Sequence, residues 1–106
     1  MVQKTGEEID ELFAERLVEA GYSDFYIMDQ DAARRVLTER RLEIIGFLRK
    51  NEASSIRGLA RNLGRDVKSV HHDLGVLFEN GVIDFEEEAD RKIPVVPFKR
   101  IFVRPL

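Results

Sequence analysis

The sequence predicts a mainly α-helical fold with a small β wing: a winged helix-turn-helix preceded by an extra N-terminal amphipathic helix. Three observations lead to this fold class. Residues 54–81 hold two short helical patterns joined by a glycine turn, and a turn this short makes two helices cross steeply. Residues 82–103 then alternate like β-strands around a charged tip, which is typical of a hairpin that forms a wing.

The first helix of this pair carries one apolar stripe. Its members recur at i, i+3, i+4 and i+7, the spacing of one helix face, and are Ile56, Leu59, Ala60 and Leu63. Ser54 or Ser55 precedes the stripe, where a side-chain oxygen can accept a hydrogen bond from an unpaired helix N–H. Gly64 follows the last apolar position, so we expect it to end the helix in a left-handed conformation.

The second helix is predicted to begin after Asp66, a good N-cap residue, and to end at Asn80-Gly81. The residues predicted on its apolar face are Val67, Val70, Leu74, Leu77 and Phe78. Those predicted on the outward face are Lys68, Ser69 and His72, with Arg65 just ahead of the helix. His71 lies at the edge of the apolar face, where we expect it to be partly buried. Small polar and cationic residues near a helix N-terminus suit a helix that enters a DNA groove.

The wing hairpin is predicted to have its first strand near residues 82–87 and its second near 92–97, with a further strand over 99–104. Its tip is rich in acids, which are Asp84, Glu86, Glu87, Glu88 and Asp90. A wing that lies along DNA phosphates would be basic, so the acidic side is not expected to touch them. The bases on the other side are Arg91, Lys92, Lys99, Arg100 and Arg104. They either contact the DNA backbone or pair with these acids, and both interpretations stay open.

The first half of the chain supplies an extra helix over residues 7–20, which divides the chain into 1–24 and a winged-helix domain at 25–106. The apolar stripe of that helix is Ile9, Leu12, Phe13, Leu17 and Ala20. Such a stripe either packs on its own domain or pairs with a second copy. We favour a homodimer, because two-fold symmetry matches a palindromic DNA site. Its predicted interface contains Ile9, Leu12, Phe13 and Leu17.

Two further elements complete the predicted domain. Residues 25–28 have the composition of a short strand, which is expected beside residues 101–103. A helical stretch from residue 31 to about residue 50 forms the first core helix, with Thr38 as a second N-cap inside it. The apolar face predicted for this helix is Leu42, Ile45 and Leu48, widened by Ile44 and Phe47.

Composition limits the class of protein. The 106 residues are enough for one small domain, or for one domain plus an appendage. The absence of cysteine excludes disulfides and thiolate metal sites. No apolar run approaches the roughly 20 residues that span a membrane, and the N-terminus lacks the apolar core of a signal peptide, so we expect a cytoplasmic protein. The net charge of −3 argues against indiscriminate nucleic-acid binding, but residues 49–75 hold six bases against three acids.

No catalytic, metal or cofactor site is predicted, so we do not expect an enzyme. The chain has no glycine-rich phosphate loop and no HExxH motif. His71 and His72 are adjacent in a helix, so their side chains point about 100° apart and cannot easily share one metal ion.

Three segments of the chain resemble a known family: DAARRVLTERRLEIIGFLRKN, SIRGLARNLGRDVKSVHHDLGVLFENGVIDFEE and IPVVPFKRIFV. They are similar to archaeal and bacterial predicted transcriptional regulators of winged-helix type, which are related in fold to the MarR and ArsR groups. The likeness covers about residues 25–104, and its most specific piece is LARNLGRDVKSVHHDL at residues 59–74. Gly58 and Gly75 depart from the family pattern, in which a Glu and a bulkier residue are usual. The resemblance implies DNA binding through the helix at 66–80, by Lys68, Ser69 and His72, with Arg65 and Arg61 beside them.

The sequence thus predicts a sequence-specific transcriptional regulator that binds double-stranded DNA, with the helix at 66–80 in the major groove. The predicted base contacts are Lys68, Ser69 and His72. The predicted phosphate contacts are Arg49, Arg57, Arg61 and Arg65, with Arg91 and Lys92 on the wing.

The alternative is a winged-helix module for protein–protein interaction without DNA binding of its own. Its partner would be a toxin, with this chain as the antitoxin, or a transcription factor in a larger complex. A recognition helix surrounded by acidic side chains would favour this alternative, and continuous positive potential would favour DNA.

Overall fold

Five helices and four strands make up the described part of the chain, which is residues 6–52 and 55–105 of the computed structural model. The helices are α1 (Gly6–Glu19), α2 (Gln30–Val36), α3 (Glu39–Lys50), α4 (Ile56–Leu63) and α5 (Val67–Glu79). The strands are β1 (Phe25–Asp29), β2 (Asp84–Glu88), β3 (Arg91–Val95) and β4 (Arg100–Arg104). The predicted mainly α-helical fold with a small β wing is confirmed.

The described chain divides into two units. The terminal unit contains the described residues up to Ala33 together with those from Phe98 onward, and the central unit is Arg34–Pro97. β4 therefore belongs with the N-terminal part of the chain, whereas the sequence indicated a division between residues 24 and 25. The reason is that β4 pairs with β1 and not with the wing.

A parallel two-stranded sheet organises the terminal unit. β1 and β4 pair with Ile27 opposite Phe102, which confirms the predicted placement of these two segments side by side. The ring of Phe102 is the centre of an aromatic cluster. Its centroid lies 6.4, 5.2 and 5.8 Å from those of Phe13, Tyr22 and Phe25, all in edge-on geometry. Aromatic pairs of this kind contribute about 0.5–1.5 kcal/mol each beyond the burial of their area.

The apolar stripe of α1 is partly buried within its own chain. Leu17 is buried, Ile9 is half-buried, and Phe13 packs against Phe102. Leu12, in contrast, is 41% exposed. Phe13 therefore packs on a ring of its own chain, and Leu17 is buried in the same chain. The aromatic cluster gives this stripe a core of its own.

The core of the central unit forms where α3, α4, α5 and β3 meet. Its buried side chains are Val36, Ile44, Ile45, Leu59, Ala60, Val70, Leu74, Leu77, Val82, Ile83, Ile93 and Pro94. Full burial of one large aliphatic side chain contributes about 1.5–3 kcal/mol. The three helices are therefore held together mainly by the stripes that their sequence periodicity indicates.

The predicted first core helix is two helices, α2 and α3, which are separated at Thr38. The hydroxyl oxygen of Thr38 accepts a hydrogen bond from the N–H of Arg41, which confirms the second N-cap. The predicted burial of Leu42 is wrong, since this side chain is 49% exposed. Ile44 and Ile45, both predicted on the apolar face, are buried, so the buried face of α3 keeps these two positions and excludes Leu42.

The buried face of α5 also differs from the predicted one. Its buried residues are Val70, Asp73, Leu74 and Leu77. Val67 and Phe78, predicted in the core, are 39% and 48% exposed, and His71 is exposed instead of partly buried. The face is turned because the carboxylate of Asp73 forms ion pairs inside the unit.

The wing is the antiparallel β2–β3 hairpin, whose strands are shorter than predicted. The ladder runs from Asp84 opposite Val95 to Glu88 opposite Arg91, because residues 82–83 form a buried connection after α5 instead of extending the strand. Ala89 and Asp90 form the tip, and both have positive φ, 49° and 66°. Two-residue hairpin turns with two positive φ angles favour asparagine and glycine, since a Cβ atom is strained in this region.

Replacement of Ala89 by glycine is expected to raise the free energy of unfolding by about 0.5–1 kcal/mol, because the relief of strain exceeds the added entropy of the unfolded chain. Urea denaturation followed by circular dichroism measures the change. Ala60→Gly, inside α4, is the control and should lower stability by at least about 1 kcal/mol. An Ala89→Gly variant less stable than the wild type would contradict the left-handed geometry of the turn.

Candidate nucleic-acid interface

Hydrogen bonds fix both ends of α4. Ser55 caps its start, and the hydroxyl oxygen accepts the N–H of Gly58 at 2.9 Å, as predicted. Ser54, the other candidate, lies outside the described residues. Gly64 ends the helix with φ 64° and ψ 35°, which confirms the predicted left-handed cap. These local hydrogen bonds and the left-handed Gly64 therefore set the direction in which the chain leaves α4 toward α5.

α5 begins immediately after this turn and is capped at both ends. The carboxylate of Asp66 accepts the N–H of Ser69 at 3.2 Å, so the predicted N-cap is confirmed. At the other end Gly81 has a φ of 75°, and the N–H of Val82 donates to the carbonyl of Leu77 at 2.9 Å. Since one face of α5 is buried and its ends are fixed, its opposite face is presented to solvent in one orientation.

Basic and polar side chains are exposed on the outward faces of both helices. On α5 these are Lys68, Ser69 and His72, and on α4 they are Arg57 and Arg61. Residues four apart lie on the same side of a helix, so Lys68 and His72 share one side of α5, and Arg57 and Arg61 share one side of α4. The positive end of the α5 dipole adds to them. The arrangement offers positive charge and hydrogen-bond donors to an anion or a base edge.

The wing places its two exposed bases opposite acids. Glu88 lies across the ladder from Arg91, and Glu87 lies across from Lys92. All four side chains are exposed. Cross-strand neighbours of opposite charge attract one another, so the acids reduce the positive potential at this part of the wing.

Arg65, predicted to contact DNA, is turned into the protein. Its side chain is only 6% exposed, and its Nη2 donates to Oδ2 of Asp73 at 2.6 Å and to the hydroxyl oxygen of Ser69 at 2.9 Å. Its Nε and Nη1 are buried without a hydrogen-bond partner among the described residues. A guanidinium held in this way is turned away from solvent and bonded within the protein.

Asp73 also binds a second arginine. Nε of Arg41 donates to Oδ1 of Asp73 at 3.0 Å, and Nη1 of Arg41 donates to the carbonyls of Arg35 at 3.0 Å and Val36 at 3.4 Å. The side chains of Arg41 and Asp73 are 14% and 11% exposed. One carboxylate therefore connects α5 to α3, to the end of α2 and, through Arg65, to the turn before α5.

Sequence reasoning missed Asp73 and Arg41. Asp73 has a detectable signal, since it lies three residues after Val70 and four before Leu77, both fully buried. A carboxylate at a buried position needs a cationic partner, because an unpaired buried charge is strongly unfavourable. Arg41 has no comparable signal, because its neighbour Arg40 offers the same charge one residue earlier.

Comparison with known proteins identifies a family. A family model described as HVO_A0114 matches residues 36–103, from the last residue of α2 into β4, which is more than half of the chain. The chain belongs to the HVO_A0114 family. No curated protein matches it.

Solved structures share the fold of this HVO_A0114-family chain. The homodimeric winged helix-turn-helix DNA-binding domain of a possible ArsR-family transcriptional regulator from Mycobacterium bovis is 14% identical, with a TM-score of 0.57 over 92% of this chain and 76% of that one. A predicted DNA-binding transcriptional regulator from E. coli is 19% identical, with a TM-score of 0.59 over 85% and 84%. Reduced HlyU from Vibrio cholerae is 22% identical, with a TM-score of 0.55 over 88% and 83%. The predicted winged helix-turn-helix fold is confirmed.

Across residues 6–52 and 55–105, no group of three or more His, Asp or Glu side chains could hold a metal ion. None of the helices in the same part of the chain is both long enough and apolar enough to cross a membrane.

Replacement of Asp73 by alanine is expected to lower the free energy of unfolding of this HVO_A0114-family protein by about 3–5 kcal/mol, because it leaves two largely buried arginines without a counter-charge. Guanidinium denaturation measures the difference. Glu43→Ala removes an exposed carboxylate from α3 and serves as the control, with an expected change below about 0.5 kcal/mol. Equal stability of the two variants would show that the ion pairs of Asp73 do not stabilise the fold.

Proposed function

We propose that this HVO_A0114-family protein is a transcriptional regulator that binds double-stranded DNA sequence-specifically, with α5 in the major groove. The observation that carries the proposal is the exposure of Lys68, Ser69 and His72 on the first turns of a helix whose other face is fixed in the core. The major groove of B-DNA admits an α-helix, and the second helix of a helix-turn-helix is the one that reads it.

The three outward side chains of α5 have the chemistry to read base edges. The ammonium group of Lys68 can donate to the O6 and N7 acceptors of guanine. Neutral His72 offers one donor and one acceptor nitrogen. The hydroxyl oxygen of Ser69 already accepts a hydrogen bond from Arg65, so its own O–H is left to donate to a base acceptor. Arg65 therefore supports recognition by orienting Ser69.

Phosphate contacts are assigned to arginines outside α5. Arg57 and Arg61 are exposed on α4, and Arg49 is exposed near the end of α3. One guanidinium group can bind two oxygens of a phosphate at once. Such contacts set the register of the recognition helix on the DNA without reading its sequence. Arg91 and Lys92 contribute less, because the acids opposite them compete for their charge.

The fold neighbours support this proposal. The Mycobacterium bovis domain is described as DNA-binding, and the E. coli protein is described as a predicted DNA-binding transcriptional regulator. At identities of 14% and 19% the likeness concerns the fold, so the base preference proposed for this chain rests on its own Lys68, Ser69 and His72.

Lys68→Ala is expected to weaken binding to the preferred DNA site by roughly 5- to 150-fold, because a good base contact is worth about 1–3 kcal/mol. The site is first selected from a random duplex library, and affinity is then measured by fluorescence anisotropy at several salt concentrations. Arg61→Ala should weaken binding to selected and scrambled duplexes alike and reduce the salt slope by about 0.9, since it removes one phosphate contact.

Arg34→Ala is the matched control for these variants, because it removes an exposed cation from α2, outside the helix pair. It is expected to leave affinity and salt slope unchanged. Equal losses of DNA affinity in Arg34→Ala and Lys68→Ala would show that the loss comes from the change in net charge and not from a missing base contact. Failure of the wild-type protein to bind any duplex at low salt would overturn the proposed function.

We also propose a homodimer that forms through the part of α1 left uncovered. Leu12 is 41% exposed and Ile9, three residues earlier on the same face, is half-buried. The Mycobacterium bovis domain with the same fold is described as homodimeric. The two half-sites of the DNA bound by such a dimer are expected to lie roughly 34–36 Å apart, one turn of the double helix.

Leu12→Asp is expected to convert the dimer into a monomer, because two carboxylates would be brought into an apolar two-fold interface. Sedimentation velocity over a range of protein concentrations measures the change. Glu11→Ala, at the neighbouring exposed position, should leave the dimer intact. A wild-type protein that sediments as a monomer at every concentration would rule out this dimer.

A second candidate function is a protein–protein interaction module without DNA binding, with a toxin or a transcription factor as partner. The observation that favours it is the acidic strand β2, in which Glu86, Glu87 and Glu88 are all exposed. This function predicts negligible duplex binding at every salt concentration, so the same titration separates the two candidates.

A further inference from the structure

A cavity of about 400 Å³ lies within the central unit, between the start of α4, the second half of α5 and the wing. Cavities that bind small molecules measure about 300–1,000 Å³ and combine apolar walls with a few polar groups. We propose that this cavity binds a small aromatic amine, and that the bound molecule weakens the DNA binding proposed above. The regulatory part rests on the proposed function, whereas the binding of the ligand does not.

Two aromatic rings form the apolar part of the cavity. The centroids of Phe78 on α5 and Phe85 on β2 are 5.2 Å apart, with their planes tilted by 50°. Phe78 is 48% exposed, although it is a large apolar side chain at the end of a core helix. Ile56, the first residue of α4, adds an aliphatic wall. A planar aromatic ligand would cover the exposed ring and gain favourable ring–ring geometry.

Gly75 provides the space for such a ligand. It lies one turn from Phe78 along α5 and lines the cavity, and a Cβ atom built on it meets nothing within 4 Å. Glycine inside a helix is unfavourable, and here no close backbone approach requires it. The missing side chain is the reason that the wall of α5 is open at this point.

The charges around the cavity favour a cation. Its lining contains the carboxylates of Asp84 and Glu87 and the ammonium of Lys92, a net charge of −1 with His71 neutral. Glu87 and Lys92 face each other across the hairpin and offset one another. Asp84 is adjacent to Phe85, and its Oδ1 accepts the N–H of that residue at 2.8 Å. Its Oδ2 can therefore receive an ammonium group beside the aromatic pair.

The walls of the cavity belong to the two elements that the proposed function places on DNA. His71 precedes the base-contacting His72, and Lys92 is one of the cations of the wing. A ligand wedged between α5 and the wing changes the distance between them, so base and phosphate contacts can no longer be made together. Differential binding of this kind is what allows a ligand to shift an equilibrium.

Tryptamine, an indole with one ammonium group, is the probe for this cavity. The chain contains no tryptophan, so indole fluorescence reports on the probe alone. Titration of the full chain is expected to give saturable binding, with NMR shift changes concentrated at residues 71–92. Tryptamine should bind at least threefold more tightly than indole-3-propionate, which carries the opposite charge.

Two variants and their matched controls test the cavity. Gly75→Leu fills it while raising helix propensity, and is expected to weaken tryptamine binding at least tenfold. Gly46→Leu makes the same change on α3, where a built Cβ also meets nothing within 4 Å, and should leave binding unchanged. Asp84→Asn should weaken tryptamine at least threefold and leave uncharged indole unaffected, whereas Glu88→Gln, at the end of β2 and outside the cavity lining, should change neither.

Several results would overturn the ligand proposal: no saturable binding, equal binding by Gly75→Leu and Gly46→Leu, or tighter binding of indole-3-propionate. Shift changes at residues 71–92 that depend on protein concentration without tryptamine would also overturn it, by showing that a second copy occupies the cavity.

DNA binding is measured separately, with the selected duplex and saturating tryptamine. Affinity is expected to fall at least threefold in the wild type and to stay unchanged in Gly75→Leu. Unchanged wild-type affinity in the presence of bound tryptamine would overturn the regulatory part. If the wild type binds no duplex, the proposed function fails while the tryptamine titration still decides whether the cavity is a binding site.

Discussion

The ion pairs of Asp73 with Arg41 and Arg65 determine how α5 is rotated about its axis. That rotation decides which side chains of α5 are buried in the core and which are exposed to solvent. An apolar helix face alone tolerates small rotations, because aliphatic contacts are not directional. A carboxylate held at 3.0 Å by one arginine and at 2.6 Å by another does not tolerate such rotations. Hydrogen bonds to charged groups are strong only within a narrow range of distance and angle. The polar cluster thus supplies the directionality that the surrounding aliphatic core lacks.

One rotation of α5 explains several exposed residues at once. Bringing Asp73 inward turns Val67 and Phe78 outward, and it leaves Lys68 and His72 in solvent. The first consequence is a helix N-terminus with cationic and polar side chains. The second is an uncovered aromatic ring at the other end, beside the wing. The proposed DNA contacts and the proposed ligand cavity therefore have the same physical origin.

What could be predicted from the sequence is what local interactions decide. The caps at Ser55 and Asp66 and the left-handed Gly64 follow from neighbours within three or four residues, and the exposure of Lys68 and His72 follows from helix geometry. The placement of β4 beside β1 could also be anticipated, since both are short runs of β-branched and aromatic residues without another partner.

What could not be predicted depends on distant partners. The inward turn of Arg65 is decided by a carboxylate eight residues along the chain, and that carboxylate is itself buried because of an arginine 32 residues away. The exposures of Leu42 and Phe78 have the same kind of cause: periodicity shows that a helix has an apolar face, but tertiary contacts decide how far that face is turned.

The β1–β4 pairing has a consequence for the order in which the chain acquires its structure. Phe25 lies opposite Arg100, so β1 has no partner until the whole central unit has left the ribosome. The central unit, whose contacts are closer in sequence, is expected to fold first and to shorten the flexible loop that the sheet must close. During that interval the segment Phe25-Tyr26-Ile27-Met28 is an unpaired apolar strand edge. It is therefore the part of the nascent chain most in need of protection from aggregation.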